Sequence, residues 1–271
     1  MSLWPFAVLV MSMGYLGFVR VGRKIGAPLA VGLIGVAMWQ LARESIMSDT
    51  NPTPWETLLA LWDLASSDQI WKHSVASLYR VTWGFVLAAA LAIPLGLWVG
   101  WSTAGFEALN PVVQGLRPIS PIAWIPFSIL WFGIGDGAGI FLIFYASFFP
   151  ICVGTMAAVR NISRVHRRSA QNFGLHGVEL FRRVVLPGAL PQIITSLRIA
   201  LGVAWLVIVA AEMVGMDSGL GYLINDARNM GKRYDLVAAT MILIGLIGIV
   251  LDHLVRRLEN FDEVRWGYAE R

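Results

Sequence analysis

Charge and cysteine are both scarce in this chain. Asp, Glu, Lys and Arg make up 14% of its 271 residues, against 57% for hydrophobic types. A soluble globule of this length normally carries about 25% charged residues, so a soluble protein is excluded. The single cysteine, Cys152, lies in an apolar block and excludes an internal disulfide. The phosphate loop GxxxxGK(S/T) is absent. The glycine-rich GIGDGAG around Asp136 lacks GxGxxG spacing and reads as a tight turn. Neither HExxH nor a Cys and His cluster occurs, so His166 and His176 lack metal spacing. No nucleophile stands beside a base in any short segment. The expectation is a chain with no catalytic residue, cofactor or metal of its own.

Hydrocarbon is abundant, and it comes in blocks. Uncharged stretches run Leu3 to Val19, Ile25 to Ala42, Val81 to Gly100, Pro118 to Gly135, Gly137 to Val159, Ile199 to Ala211 and Leu236 to Leu251. With flanking residues each reaches the roughly 20 residues that a helix needs to cross a bilayer, giving about seven spans. Helices pair their own backbone groups within lipid, whereas a barrel would alternate apolar and polar residues. The fold expected is an all-α polytopic membrane helix bundle. It divides into N-terminal spans over 1–43, an extracytoplasmic connection over 44–78, a core over 79–257 and a cytoplasmic tail over 258–271.

Orientation follows from the basic residues, which gather on the cytoplasmic side of membrane spans. Arg160 to Leu186 carries six arginines, Arg160, Arg164, Arg167, Arg168, Arg182 and Arg183, against one acid, Glu179. Placing it inside also puts Arg20, Arg23 and Lys24 inside, together with Arg256 and Arg257. The connection holding Glu44, Asp49, Glu56, Asp63 and Asp68 then falls outside. The N-terminus is expected outside and the C-terminus in the cytoplasm. Topology thus explains most of the net charge of +4, which leaves no reason to expect a nucleic-acid partner. Leu3 to Val19 has its basic end after the apolar run, the reverse of a signal peptide. It is read as an uncleaved span, with a processed or interfacial segment as the alternative.

The arginine-rich loop is too long for a plain connection. Asn161 to Asn172 can form one short helix and Val178 to Val185 another, with Gly174 and Gly177 allowing a sharp bend between them. Pro187 and Pro191 are expected to restart the chain into the sixth span. Phe173, Leu175, Leu180 and Phe181 would then be free to fill a groove on a partner protein. The alternative is an amphipathic hairpin resting on anionic headgroups. The residues alone leave both open.

The spacing within this loop resembles a known family. Permease subunits of bacterial ABC importers carry Glu-Ala-Ala, three residues, Gly, nine residues and Ile-x-Leu-Pro. Arg168-Ser169-Ala170, Gly174 and Val184-Val185-Leu186-Pro187 fall at those spacings, with Arg168 standing where the glutamate is usual. RPISPIAWIPFSILWFGIGD, LPGALPQIITSLRIALGVAW and AEMVGMDSGLGYLINDARN narrow the likeness to the nitrate, bicarbonate, sulfonate and taurine branch. It covers roughly Pro52 to Arg257, and the first span is less typical. The resemblance implies a five-helix core plus N-terminal spans and a cytoplasmic coupling helix that docks on a separate ATPase. The docking residues would be Arg167, Arg168, Ala170, Phe173, Gly174, Leu175, His176, Gly177, Leu186 and Pro187. It further implies two ATPase subunits carrying ATP and Mg, a second copy of the chain, and a periplasmic or lipid-anchored solute-binding protein outside.

Ionisable and helix-breaking residues within spans mark candidate solute paths. Arg117 is followed by Pro118, Ser120, Pro121, Trp124 and Pro126, so a straight helix is excluded there. Broken helix at membrane depth must be buried in protein or line a cavity. Arg117 would lower the barrier for an anion; alternatively it snorkels to the inner surface. Glu212 reads as a gate or as a helix cap, and Arg198 as a solute contact or as a partner of polar groups. Trp39, Trp98, Trp101 and Trp131 read as interfacial anchors. Asp217 to Asp235 is either a contact for the external binding protein or an ordinary loop. The function expected is the permease subunit of an ATP-driven ABC importer in the bacterial inner membrane, carrying a small oxyanion or organic anion by alternating access. The alternatives are a membrane scaffold and an ATP-independent secondary transporter; the latter often shows intramembrane acids and inverted repeats.

Overall fold

The computed structural model describes Gly26 and residues 30–43, 51–230 and 232–257. All regular structure among them is helical. Helix α1 is Ala30–Arg43. It is followed by α2 (Pro54–Ala65), α3 (Asp68–Trp101), α4 (Thr103–Leu116), a 3-10 turn at Pro121–Trp124, and α5 (Ile125–Phe132). Next come α6 (Asp136–Arg160), α7 (Arg164–Asn172), α8 (Gly177–Leu180), a π turn at Phe181–Val185, α9 (Leu186–Gly215), α10 (Leu220–Met230) and α11 (Tyr234–Arg256).

Four helices among the described residues are long and apolar enough to cross a membrane. They are α3, α6, the continuous helix Gly177–Gly215, and α11. Of the seven stretches read from the sequence, Leu3 to Val19 lies outside the described residues, as does the tail over 258–271. The sixth expected span does not restart at Pro187. Leu186 N–H donates to the Phe181 carbonyl, five residues back, so the helix runs through the proline on a π turn. A proline collides with the carbonyl four residues before it, and widening the preceding turn relieves that collision.

The fourth expected span, Pro118 to Gly135, is also not one helix. Its helical part is the turn and short α5, ended by Gly133 at φ 75°. Helix α4 leads into it from the loop end, burying Val113 in the apolar cluster that also holds Ala92 and Phe149. The expected stretch therefore holds only the 3-10 turn and α5, and α4, which precedes it, supplies a second short helix on the other side of the break.

The centre of the bundle is a parallel pair, α3 and α6. On α3 small residues recur every four positions, Gly84, Ala88, Ala92, Gly96 and Gly100, and all are buried. A Cβ on Gly84 would lie 2.6 Å from Ile143 Cβ, and one on Gly96 would lie 2.7 Å from Thr155 Cβ. One on Gly100 would lie 2.9 Å from Val159 Cβ. Contacts advance in the same direction on both helices, so the backbones run parallel and touch. Lipid supplies no hydrophobic drive between spans, and close backbone approach along a small-residue stripe supplies the dispersion contacts instead. Helix α9 returns antiparallel on α6, with a Cβ on Gly154 unable to clear Ser196 Oγ. Helix α11 then packs on α9, where Trp205 Nε1 donates to the Ile244 carbonyl at 3.1 Å.

Candidate functional site

The knob at one end of the bundle is built from local rules. Ser163 caps α7, its hydroxyl accepting from Val165 N–H at 3.2 Å. At the other end Gly174 takes φ 84°. Gly174 N–H donates to the Gln171 carbonyl at 2.9 Å and Leu175 N–H to the Ala170 carbonyl at 3.1 Å. This pair of bonds is the Schellman termination, which requires a left-handed residue at the glycine position. Gly177 is also left-handed, at φ 52°, and opens α8. Ala170 is buried and Leu175 half-buried, while Arg168, His176 and Gly177 are exposed. Leu186 and Pro187 are half-buried. Phe173 is 88% exposed, an apolar ring held out at the tip and left uncovered by the other described residues. Arg167 is drawn inward, its guanidinium 5.5 Å over the Trp101 ring and its Nη2 donating to the Val159 carbonyl at 3.4 Å.

The break between α4 and α5 lies at mid-depth. Tyr145 Oη donates to the Leu116 carbonyl at 3.2 Å, next to Arg117. Tyr145 stands about 14 Å from the Asp136 end of α6 and about 22 Å from its Arg160 end, at 1.5 Å per residue. Arg117, Pro118, Ser120 and Pro126 are exposed there, and Pro121 is half-buried. The depth sets the Arg117 backbone part-way along α6, away from the knob end. Trp124 is half-buried beneath the break within 6.5 Å of the rings of Phe127, Trp131, Phe141 and Tyr145. Trp131 thus belongs to this cluster as well as to the exposed surface.

Glu212 does not face an open path. It is 1% exposed, and Ser77 Oγ lies 2.8 and 2.9 Å from its two oxygens. Arg80 Nη1 donates to it at 3.0 Å and Gly221 N–H at 3.0 Å. Arg80 is equally buried, and its Nε also donates to Asp136 at 2.7 Å. Its remaining bonds go to the Ser218 carbonyl at 2.7 Å and the Ser218 hydroxyl at 2.6 Å. Leu220 N–H reaches Ser77 Oγ at 2.9 Å and Gly219 N–H reaches His73 Nδ1 at 3.1 Å. The network ties α10 to α3, α6 and α9 at the end opposite the knob. Gly219, at φ 113°, permits it, because a Cβ there would lie 2.1 Å from Glu212 Cδ.

Arg198 sits lower on α9 and pairs with Asp252 of α11, Nε to Oδ1 at 2.5 Å and Nη2 to Oδ2 at 2.9 Å. Both side chains are partly exposed. Reasoning from the sequence missed His73, Ser77, Arg80, Asp136, Ser218 and Asp252. His73, Ser77, Arg80 and Gly84 follow the spacing of one helical face, which was the available signal.

A bundle with a span broken at mid-depth, an exposed basic knob at one end and a buried ion network at the other has the build of a membrane transport subunit. The chain belongs to the family described as the binding-protein-dependent transport system inner membrane component, which matches residues 92–261. It is 39% identical over 243 residues to the putative aliphatic sulfonates transport permease protein SsuC of Escherichia coli, covering 89% of this chain and 91% of that one. The nitrate import permease protein NrtB of Leptolyngbya laminosa is 36% identical, covering 89% of each chain. The taurine transport system permease protein TauC of Escherichia coli is 33% identical over 86% of this chain and 87% of its own. Among solved structures, a bacterial alginate ABC transporter in complex with an alginate-bound periplasmic protein superposes with a TM-score of 0.60 at 16% identity. That match covers 95% of this chain and 97% of the other, and it shows the fold. The chain is thus a multi-pass inner-membrane permease subunit of an ABC importer, in the nitrate, sulfonate and taurine branch.

Proposed function

We propose that this permease forms half of the translocation path for a small oxyanion or organic anion of the nitrate, bicarbonate, sulfonate or taurine kind, driven by ATP hydrolysed on separate subunits. The observation that carries the reading is the knob. A Schellman-terminated helix presenting Phe173 is an apolar anchor on a rigid, basic frame, the form in which a helix enters a groove on a partner. Two ATPase subunits, holding ATP and Mg, dock there from the cytoplasm. A second copy of this chain completes the path, and a periplasmic or lipid-anchored binding protein delivers solute at the Arg80 end. The chain itself holds no cofactor. The N-terminus lies outside and the C-terminus inside.

Closure of the ATPase pair pulls the knobs together. Each knob is continuous through the π turn with α9, so its displacement passes directly to the helix carrying Arg198 and Glu212. Arg117, exposed at the mid-depth break, supplies one positive charge to an anion in transit. One charge lowers the barrier, whereas a cluster would retain the solute. The paths open alternately to the two sides as α9 moves against the break.

The test is uptake of labelled nitrate, bicarbonate, taurine and an alkyl sulfonate into liposomes holding this chain, its co-encoded ATPase and its binding protein. Uptake that requires ATP and stops with a non-hydrolysable analogue is expected. Uptake that proceeds equally without ATP overturns the reading in favour of a secondary transporter.

A further inference from the structure

Near the knob end, α3 and the helix after Gly177 leave an open groove that none of the transport steps above uses. Pro94, Leu97, Trp98 and Trp101 line one wall, spaced along one face of α3, and Val178 and Phe181 line the other. The groove is about 350 Å³ and almost wholly apolar. Phe181 meets Trp101 edge to face at 5.4 Å, closing its upper end.

Its depth is fixed by α3. Trp98 and Trp101 follow the Arg80 network by about 27 and 32 Å along the helix, close to the thickness of a bilayer's hydrocarbon core. With the network at one interface, the two indoles stand at the other, where tryptophan is enriched. An apolar groove at that level opens toward acyl chains, and its rim lies among headgroups.

The rim is positive. Arg167 lies with its guanidinium 5.5 Å over Trp101, and its Nε is buried without a hydrogen-bond partner among the described residues. Arg182 is exposed one helical turn beyond Val178. The one acid of the knob, Glu179, is engaged by Arg183 at 3.0 Å.

We propose that this groove is a binding site for an anionic phospholipid, with an acyl chain along Pro94, Leu97 and Trp98 and the headgroup phosphate between Arg167 and Arg182. The apolar wall and the cationic rim together select a charged lipid. A free phosphate would leave the wall bare, and a zwitterionic lipid brings an ammonium that offsets its phosphate, so two arginines favour it less than a lipid of net negative charge. Basic pockets at helix ends on the cytoplasmic side hold anionic headgroups by this chemistry. The site stands on its own geometry and does not depend on the ATPase reading.

The experiment is native mass spectrometry of the full chain released from nanodiscs of mixed phosphatidylcholine and phosphatidylglycerol. Wild-type protein is expected to retain phosphatidylglycerol selectively. Arg167→Gln with Arg182→Gln is expected to lower that selectivity about 30-fold, from roughly 1 kcal/mol per basic side chain at an anionic surface. Trp98→Ala is expected to lower retention of both lipids, and an unchanged melting midpoint in each variant shows that folding is intact. Equal retention of the two lipids by wild type, or no effect of the arginine pair, overturns the proposal. Disulfide trapping of Trp98→Cys by cysteines placed along Leu3 to Val19 would also overturn it, because the chain's own first apolar segment would then fill the groove.

Discussion

Removing either partner of the Arg80 and Glu212 pair tests whether Glu212 is a gate or a structural ion. Arg80→Met leaves a carboxylate that the structure buries completely, with only Ser77 and Gly221 still donating to it. Stranding a buried charge costs about 3–5 kcal/mol. Glu212→Ala is expected at the lower end, about 3 kcal/mol, because Asp136 and Ser218 still hold the guanidinium. Independent effects would sum to roughly 6–8 kcal/mol in the double variant, but the second substitution removes a charge that the first has already stranded. The double variant should therefore recover about 2–3 kcal/mol of that sum. In thermal unfolding in detergent, each single change should lower the midpoint by roughly 6–20 °C, at about 2–4 °C per kcal/mol for a chain of this size. Coupling below about 0.5 kcal/mol would refute the reasoning. So would a Glu212→Ala protein that melts like wild type and differs only in solute flux, since a gate in an open path behaves that way.

Other outcomes follow from the same geometry. Gly84→Leu drives a side chain into Ile143 and the Ile140 carbonyl. It should separate α3 from α6 and abolish monodisperse elution, whereas Gly202→Leu, with nothing nearby, should elute normally. Exchanging the charges of the Arg198 and Asp252 pair is expected to restore the stability that either single reversal loses, read by melting midpoint. The capping box of α2 joins Thr53 N–H to Glu56 Oε2 at 2.7 Å and Glu56 N–H to Thr53 Oγ1 at 3.0 Å. The backbone bond from Thr53, then its hydroxyl, holds the Glu56 carboxyl below the usual carboxylate range. A lowered folded value means that the box contributes fully above the unfolded pKa and is lost as pH falls through the folded one. The Glu56 carboxyl carbon shift should accordingly titrate below that of a free glutamate, and Thr53→Ala should move it upward.

The knob was legible because its geometry is local. The distance from Ala170 to Gly174 sets a helix end, and only glycine takes φ 84° there without strain. The small-residue stripe of α3 can be read from its period of four. Helix α4 was missed because Glu107, Asn110 and Gln114 interrupt its apolar count, although Val113 on its inner face is buried. Pro187 was read as a break because the rule for prolines assumes a regular preceding turn, and the π turn removes that assumption. The far-end network left only the one-face spacing of His73, Ser77 and Arg80 and the isolated Glu212 as local traces, neither of which names a partner. Ser77 and Glu212 stand 135 residues apart and meet only once α3, α6 and α9 are packed. Arg198 was visible as a charge in apolar surroundings, but its pairing with Asp252 depends on their equal depth, a property of the antiparallel α9 and α11.

On the proposed reading, Phe173 and its Schellman frame dock a separate ATPase. The most direct measurement is the amount of co-expressed ATPase that remains on the purified permease, for wild type, Phe173→Asp and Gly174→Pro. Proline cannot take φ 84° and loses the bond to Gln171. Stoichiometric ATPase on wild type and its loss from both variants, with the permease still folded, is the predicted result. ATPase retained equally by all three would contradict the account.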